Sequence, residues 1–246
     1  GGEGSGIFAD THFLWLYDVR IVDCNSVGVG GGMCLYNVWT SYMRNLTIGR
    51  CVSGLGAGGL AISGGELEID VLEIFECRVQ FCQGCALGFG GHNGGLSVYM
   101  GGSATIDDVH IHHNTNGGIS VLGGASLQSS RLLLADNFGS IGAGGFLNEA
   151  SKLKLIDSKV QRNMGDQTAN NGGGAFWVHT NSELHLIGSQ ISENEATMGS
   201  GISVSTGSRL IMERSSIKNN HPNDLDANKP YFFTFSPAGG GVMLLE

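Results

Sequence analysis

The chain has 246 residues, of which 41% are hydrophobic and 14% are charged, a balance that supplies a large core and excludes a disordered chain. The net charge is −9 and the 13 lysines and arginines are scattered, which argues against nucleic-acid binding because phosphate contacts need clustered basic residues. No apolar run approaches the roughly 20 residues of a membrane-spanning helix, so we expect no membrane insertion of this segment.

A short repeat runs along the whole chain, and no linker interrupts it. One or two glycines followed by alternating apolar residues recur every 23 to 40 residues, as in Gly58-Gly59-Leu60-Ala61-Ile62 and Gly117-Gly118-Ile119-Ser120-Val121. A later segment of each copy carries an aliphatic residue three places before a fixed position, as Ile111 precedes Asn114. The other members of the aliphatic series are Ile21, Ile48, Ile74, Leu134, Val160, Ile191 and Ile217.

Each copy therefore contains three short runs of alternating residues, which are too short for helices. An identical pattern that returns every turn places equivalent strands above one another as parallel ladders about 4.8 Å apart. The sequence thus predicts an all-β fold, a right-handed parallel β-helix (β-solenoid) of about eight turns, in one domain over 1–246. The chain starts and stops within a repeat, so we expect it to be a piece of a longer protein.

Aromatic residues concentrate in the first two turns. Trp15 and Tyr17 alternate with Leu14 and Leu16, which predicts that the two aromatic rings face outward. An outward aromatic stripe could stack on sugar rings or pack against a neighbouring subunit. The alternative is that preceding residues of a longer protein cover these rings.

The six cysteines all lie in the first 85 residues: Cys24, Cys34, Cys51, Cys77, Cys82 and Cys85. Three of them, Cys24, Cys51 and Cys77, occupy the fixed position of the repeat. The five later copies have asparagine there: Asn114, Asn137, Asn163, Asn194 and Asn220. Stacked Cα atoms at about 4.8 Å lie within the window that a disulfide needs, so we expect one bridge inside this column and further bridges from Cys34, Cys82 or Cys85. The alternatives are zinc at Cys82-x-x-Cys85 and buried free thiols.

Asn45-Leu46-Thr47 is the only N-glycosylation sequon. Asn45 falls next to a predicted turn, so we expect it to carry a glycan if the protein is secreted from a eukaryotic cell.

Two charged strands are candidate sites. Glu66, Glu68 and Asp70 alternate outward, with Glu73 and Glu76 following, a set that could chelate calcium but that we interpret as a solvated acidic face. In the second strand Asp108, His110 and His112 are predicted to share the outward face, at a spacing that could hold a metal or an acid/base pair. No complete catalytic set accompanies them, so the prediction is no metal, no cofactor and no catalytic residue, with a His-rich polar face instead.

Longer spacings predict three protruding loops, at 78–93, 164–172 and 221–239, which are places for recognition on a rigid scaffold.

The pairing of Gly173-Gly174-Ala175-Phe176 with aliphatic-x-x-Asn elements such as Ile111 to Asn114 and Ile191 to Asn194 resembles the GGAI and FxxN repeats of polymorphic outer-membrane proteins and related β-helix adhesins. This resemblance implies an extracellular or cell-surface protein with a structural or adhesive role. Its expected partners are other protein subunits or cell-surface glycans, with a filament or larger assembly as a further possibility. The alternative is a carbohydrate-active β-helix enzyme or a carbohydrate-binding module.

Overall fold

The computed structural model describes residues 6–80, 94–165, 173–197, 199–205, 207–222 and 242–245. Within these ranges the regular structure is all β-strand, with no helix, and every strand pair is parallel. No helix of the described chain is long and apolar enough to cross a membrane. The predicted all-β parallel solenoid is confirmed.

The first sheet stacks one short strand from each turn. Its strands follow the glycine elements of the repeat because glycine permits close approach there: a Cβ on Gly118 would lie 2.5 Å from Leu134 Cδ1 and 2.8 Å from the Gly144 carbonyl oxygen. The strands, in stacking order, are β1 (Ile7–Asp10), β4 (Met33–Tyr36), β7 (Leu60–Ser63), β10 (Leu96–Tyr99), β12 (Ile119–Leu122), β16 (Gly145–Asn148), β20 (Phe176–Val178), β24 (Ile202–Ser205) and β28 (Val242–Leu245).

The second sheet carries the longest strands. Four early turns contribute one ten-residue strand each: β2 (Phe13–Val22), β5 (Thr40–Gly49), β8 (Glu66–Phe75) and β11 (Ser103–His112). Each bends at one residue in the left-handed region: Asp18, Asn45, Val71 and Asp108, with φ between 48° and 64°.

In the later turns the same path is divided into two shorter strands. These pairs are β13 (Ser126–Ser130) with β14 (Leu133–Ala135), β17 (Lys152–Ile156) with β18 (Lys159–Gln161), β21 (Glu183–Ile187) with β22 (Gln190–Ser192), and β25 (Arg209–Glu213) with β26 (Ser216–Lys218).

Two small sheets consist of two-residue strands, and each strand comes from a different turn. One contains β3 (Asn25–Ser26), β6 (Val52–Ser53) and β9 (Arg78–Val79), and the other contains β15 (Phe138–Gly139), β19 (Met164–Gly165), β23 (Glu195–Ala196) and β27 (His221–Pro222). The three predicted loops therefore start too early, because their first residues belong to β9, β19 and β27. The segments 81–93, 166–172 and 223–239 lie outside the described residues.

The core is an aliphatic column that runs along the solenoid axis. Ile111 is in register with Ile74 on one side and Leu134 on the other, and all three side chains are fully buried. The register continues through Val160 and Ile191 to Ile217, which is partly buried. Each buried member contributes roughly 1.5–3 kcal/mol, so the column stabilises the stacking of successive turns.

A second buried column consists of the asparagines at the fixed position of the repeat. The Asn137 side chain donates from Nδ2 to Asn163 Oδ1 at 2.9 Å and to the Ile111 carbonyl oxygen at 3.1 Å. Its own Oδ1 accepts from both the backbone N–H and the Nδ2 of Asn114, each at 3.0 Å. The same pattern links Asn163 to Asn194 and Asn194 to Asn220. An amide serves this position because it offers a donor and an acceptor at once.

Cysteines extend this column into the first turns. The Cys77 backbone N–H donates to Asn114 Oδ1 at 2.9 Å, and its thiol donates to the Phe75 carbonyl oxygen at 3.3 Å. The Cys51 thiol likewise donates to the Gly49 carbonyl oxygen at 3.2 Å. The neighbouring Cys51 thiol and burial raise the pKa of Cys77.

The expected disulfides are not found among the described cysteines, Cys24, Cys34, Cys51 and Cys77. The backbone carbonyls that accept hydrogen bonds from the thiols of Cys51 and Cys77 explain how two stacked cysteines coexist without a bridge. Cys82 and Cys85, with the Cys-x-x-Cys motif, lie outside the described residues.

Candidate functional surfaces

The outward face of the second sheet extends over all the turns that contribute strands to this sheet. Residues that alternate with the buried ones point outward in every turn, and their registers align them in rows along the axis, as Trp15 aligns with Tyr42 and Tyr42 with Glu68. A shallow open groove follows this face over four later turns, lined by Ser103, Thr105, Ser126, Gln128, Lys152, Lys154, Glu183 and His185. The face is therefore aromatic at one end and polar along the groove.

The aromatic end is formed by Phe13, Trp15 and Tyr17 on β2, whose side chains are 68%, 67% and 58% exposed. The next turn adds Tyr42, whose ring centroid lies 5.9 Å from that of Tyr17. Leu14 and Leu16 point inward and pack against the core, as the alternation predicts. Because exposed apolar surface is unfavourable in water, this cluster is a candidate binding face.

The acidic residues of β8 face outward but do not form one cation site. Glu66 and Glu68 are exposed, and Asp70 lies 3.6 Å from the Arg44 guanidinium of the preceding turn. Glu73 belongs to a different group, described next. The candidate calcium ligands are thus divided between a solvated row and a histidine cluster.

The histidine cluster joins two turns that are distant in sequence. Glu73 on β8 is in register with His110 on β11, and His112 lies two residues further along the same face. One ligand atom from each of Glu73, His110 and His112 lies within 4.8 Å of the others, the only such group of three or more among the described residues. His112 Nε2 is 3.5 Å from Glu73 Oε1, and the rings of His110 and His112 stack with centroids 3.9 Å apart.

Neighbouring side chains fix the orientation of His112. The Phe75 ring stacks on that of His112 with centroids 5.8 Å apart, and His113 Nδ1 lies 2.8 Å from His112 Nδ1, within hydrogen-bond distance. Partial burial, with a smaller contribution from His112, lowers the pKa of His110. These imidazoles are held close together with nitrogen atoms directed toward one carboxylate.

Asp108 faces outward like His110 and His112, as the alternation predicts, but it is not part of this cluster. The chain bends at Asp108 with φ 48°, so Asp107 and Asp108 both face outward and the alternation restarts at Val109. Arg131 of the next turn donates to Asp108 at 2.5 and 3.0 Å and to Asp107 at 3.0 Å. These hydrogen bonds lower the pKa of Asp108 and leave it engaged in a cross-turn ion pair.

Similar ion pairs connect other turns. Arg50 donates to both carboxylate oxygens of Asp23 at 2.6 and 2.7 Å, and Arg162 donates to both of Asp136 at 2.8 Å. Their hydrogen bonds lower the pKa of each aspartate. Exposed pairs of this kind contribute little stability because solvent screens the attraction.

The sequon residue Asn45 is exposed at the bend of β5, with φ 55°. Its Nδ2 donates to Asp18 Oδ1 of the preceding turn at 2.8 Å. Attachment of a glycan to this nitrogen would have to displace that exposed hydrogen bond, and glycosylation stays a prediction.

Comparison with known proteins now adds one family. A family model described as the right-handed β-helix region matches residues 58–241. The chain belongs to this family. No curated protein and no solved structure matches the chain. The match to the β-helix family covers most of the turns described above, while membership of the narrower group of adhesin repeats stays a prediction.

Sequence reasoning missed the role of Glu73 in this β-helix. The sequence pattern groups Glu73 with the other acidic residues of its own strand. Its partner belongs to the next turn, which begins only after the long segment that contains 81–93. The register of the solenoid brings His110 beside it, although His110 lies 37 residues later in the chain. Alignment of Ile74 with Ile111 in the aliphatic series is the signal that could have revealed the pairing.

Proposed function

We propose that this β-helix is an extracellular structural and adhesive segment that binds glycans on the outward face of its second sheet. The observation that carries the proposal is the aromatic cluster of the exposed residues Phe13, Trp15 and Tyr17, which the half-buried Tyr42 of the next turn adjoins. Flat aromatic faces stack against the apolar faces of sugar rings, and amphipathic rings such as Trp and Tyr suit a surface that is wet in its unbound state. The rigid solenoid holds these rings without the cost of ordering a flexible loop.

The polar remainder of the face supports a glycan over a protein subunit. Arg44 and Glu68 adjoin the aromatic cluster, whereas the buried centre of a protein interface is depleted of charged residues. Further along the axis, Ser126, Gln128 and Lys154 offer hydrogen-bond donors and acceptors that suit sugar hydroxyls. Turns stacked about 4.8 Å apart repeat these groups along a straight line, so an extended polysaccharide can contact several turns.

Binding without cleavage is favoured by the state of the carboxylates near the groove. Asp107 and Asp108 are engaged by Arg131, and Glu183 is engaged by Arg209. A general acid needs a carboxyl group whose pKa is raised, whereas the hydrogen bond from Arg131 lowers the pKa of Asp108. A carbohydrate-active enzyme is the second candidate, favoured by the histidine cluster beside the same sheet.

The proposal is tested by retention of the purified protein on a panel of insoluble polysaccharides. Stacking contributes about 0.5–1.5 kcal/mol per ring, so the double variant Trp15→Ala/Tyr17→Ala should bind about 5- to 100-fold more weakly. The matched control is Phe138→Ala, because Phe138 is 44% exposed but lies on a different sheet. Unchanged retention of the double variant, or equal loss in the control, would refute the proposal. Loss of self-association without any loss of glycan binding would identify the face as a subunit interface instead.

A further inference from the structure

We propose that Glu73, His110 and His112 bind one divalent transition-metal ion of the zinc class, which links the third and fourth long strands of the second sheet. This site is independent of the aromatic end of the sheet. It replaces the expectation of no metal, which rests on Asp108, His110 and His112 without Glu73.

The geometry of the three ligands is close to what an ion needs. Zinc binds imidazole nitrogen at about 2.0–2.1 Å and carboxylate oxygen at about 2.0–2.2 Å, so tetrahedral ligand atoms lie about 3.4 Å apart. The three ligand atoms here lie within 4.8 Å of one another before any ion is bound. Small rotations of these partly exposed side chains, which shift each ligand atom by about an ångström, bring the three atoms to the spacing that zinc requires. Glu73 is 44% exposed at its side chain, which gives an ion access from solvent.

The nitrogen that faces Glu73 has no other partner in the described part of the chain. His112 Nε2 is buried and makes no hydrogen bond to any described residue. His112 Nδ1 is 2.8 Å from His113 Nδ1, so one tautomer places the proton between these two atoms and leaves a lone pair on Nε2. That lone pair then faces the carboxylate oxygen of Glu73 at 3.5 Å. Two electron-rich atoms in this position are stabilised by a cation between them.

The arrangement around His112 also matches a ligating histidine. A metal-bound imidazole usually donates its second ring N–H to a nearby acceptor, which fixes the tautomer and the ring plane. His113 provides that acceptor, and the stacked rings of Phe75 and His110 restrict rotation. The nearby carboxylate of Asp136 is already bonded twice to Arg162, so water fills the remaining coordination positions.

The donor set selects the class of ion. Calcium takes six to eight oxygen ligands and magnesium takes oxygen and water, whereas two imidazoles and one carboxylate suit zinc and its transition-metal neighbours.

The effect of the ion follows from its position. It connects β8 with β11, whose paired residues Glu73 and His110 are 37 residues apart, with the long segment that includes 81–93 between them. Binding therefore stabilises the stacking of the two turns that contain β8 and β11.

The test is calorimetric titration of the metal-free full chain with zinc chloride, followed by thermal unfolding. We expect one zinc ion per chain and a Tm rise of about 5–10 °C at a hundredfold excess over Kd. Glu73→Gln, His110→Asn and His112→Asn should each abolish the rise. His113→Leu, which removes only the outer acceptor, should weaken zinc binding by about 10- to 100-fold.

The matched control is His185→Asn, because His185 pairs with Glu213 at 2.9 Å in the later turns. This variant should keep full zinc binding and the full Tm rise, and circular dichroism should show that every variant retains its β-structure. The proposal is overturned if zinc does not bind, or if binding survives both His110→Asn and His112→Asn. It is equally overturned if Glu73→Gln lowers the Tm of metal-free protein while zinc has no effect on the unchanged chain, because the group is then an ordinary His–Glu pair.

Discussion

Replacement of Asn137 by alanine is expected to destabilise the β-helix strongly. Asn137 is 1% exposed, and its Oδ1 is the shared acceptor for the backbone N–H and the Nδ2 of Asn114. The variant leaves both donors buried at a site where alanine offers no acceptor, at about 1–3 kcal/mol for each unsatisfied group. The two donors alone therefore predict a loss of about 2–6 kcal/mol in the free energy of unfolding.

Asn137→Asp separates the two functions of this amide. The aspartate keeps an acceptor for Asn114 but replaces the Nδ2 donor with an oxygen that faces Asn163 Oδ1 and the Ile111 carbonyl oxygen. We expect it to be destabilised as well, and more so above the pKa of the buried carboxyl group than below it, because only the protonated form can donate.

The assay is urea unfolding followed by circular dichroism, with hydrogen exchange of the neighbouring turns, because a solenoid can open locally. Gln128→Ala, on the partly exposed outward side of the neighbouring strand β13, is the control and should change stability by less than about 0.5 kcal/mol. A loss below about 1 kcal/mol for Asn137→Ala, with an unchanged m-value, would refute the reasoning that the asparagine column satisfies buried donors.

Three further predictions concern turns, charge and modification. Gly65→Ala and Gly124→Ala both place alanine at positive φ, but only the Cβ added at position 65 collides with a carbonyl oxygen. In the same urea assay, Gly65→Ala should therefore lower the free energy of unfolding by about 1–3 kcal/mol more than Gly124→Ala does. The hydrogen bond from Arg162 holds the pKa of Asp136 in the folded protein below its ordinary value of 3.8. The ion pair therefore stabilises the folded state fully above pH 3.8, and this stabilisation is lost as the pH falls through the lower pKa of the folded protein. The Tm difference between wild type and Arg162→Gln should therefore shrink below pH 3.8, and a constant difference down to pH 2 would contradict this. Asn45 should carry a glycan after passage through a eukaryotic secretory pathway, seen as a mass decrease on enzymatic deglycosylation, and unmodified peptide would contradict the prediction.

The sequence carried enough information to predict the repeat and its stacking. Ile74, Ile111 and Leu134 are spaced 37 and 23 residues apart, yet the motif around each is alike, so their alignment could be read despite unequal turn lengths. Period-two alternation also predicted which residues of β2 and β8 face outward. Local pattern decides these features because one face of each strand must be buried.

Features that depend on backbone bends could not be read in this way. Val71 adopts φ 64° at the bend of β8, a conformation that its β-branched side chain disfavours and that no local signal predicts. The bend at Asp108 likewise interrupts the alternation, so that the consecutive residues Asp107 and Asp108 both face outward. Stacking forces each turn to copy the bend of its neighbours, so tertiary context overrides the preference of the single residue.

The candidate sites also differ in whether the sequence alone reveals them. The aromatic cluster was visible because Trp15 and Tyr17 are neighbours on one strand. The group of Glu73 with His110 was not, since it depends on which residues share a register although they lie 37 positions apart in the chain. The thiol column of Cys51 and Cys77 was placed correctly in sequence, but its hydrogen bonds to backbone carbonyls required the three-dimensional structure.

Glycan binding without cleavage is tested most directly by a polysaccharide that the protein retains, incubated with and without zinc. Affinity and newly formed reducing or unsaturated ends are then measured in the same samples, for wild type and for Trp15→Ala/Tyr17→Ala. The predicted result is retention that falls about 5- to 100-fold in the double variant, with no new chain ends in any sample. New chain ends formed by the wild type, above the level in a protein-free control, would contradict an adhesive role and identify the β-helix as an enzyme.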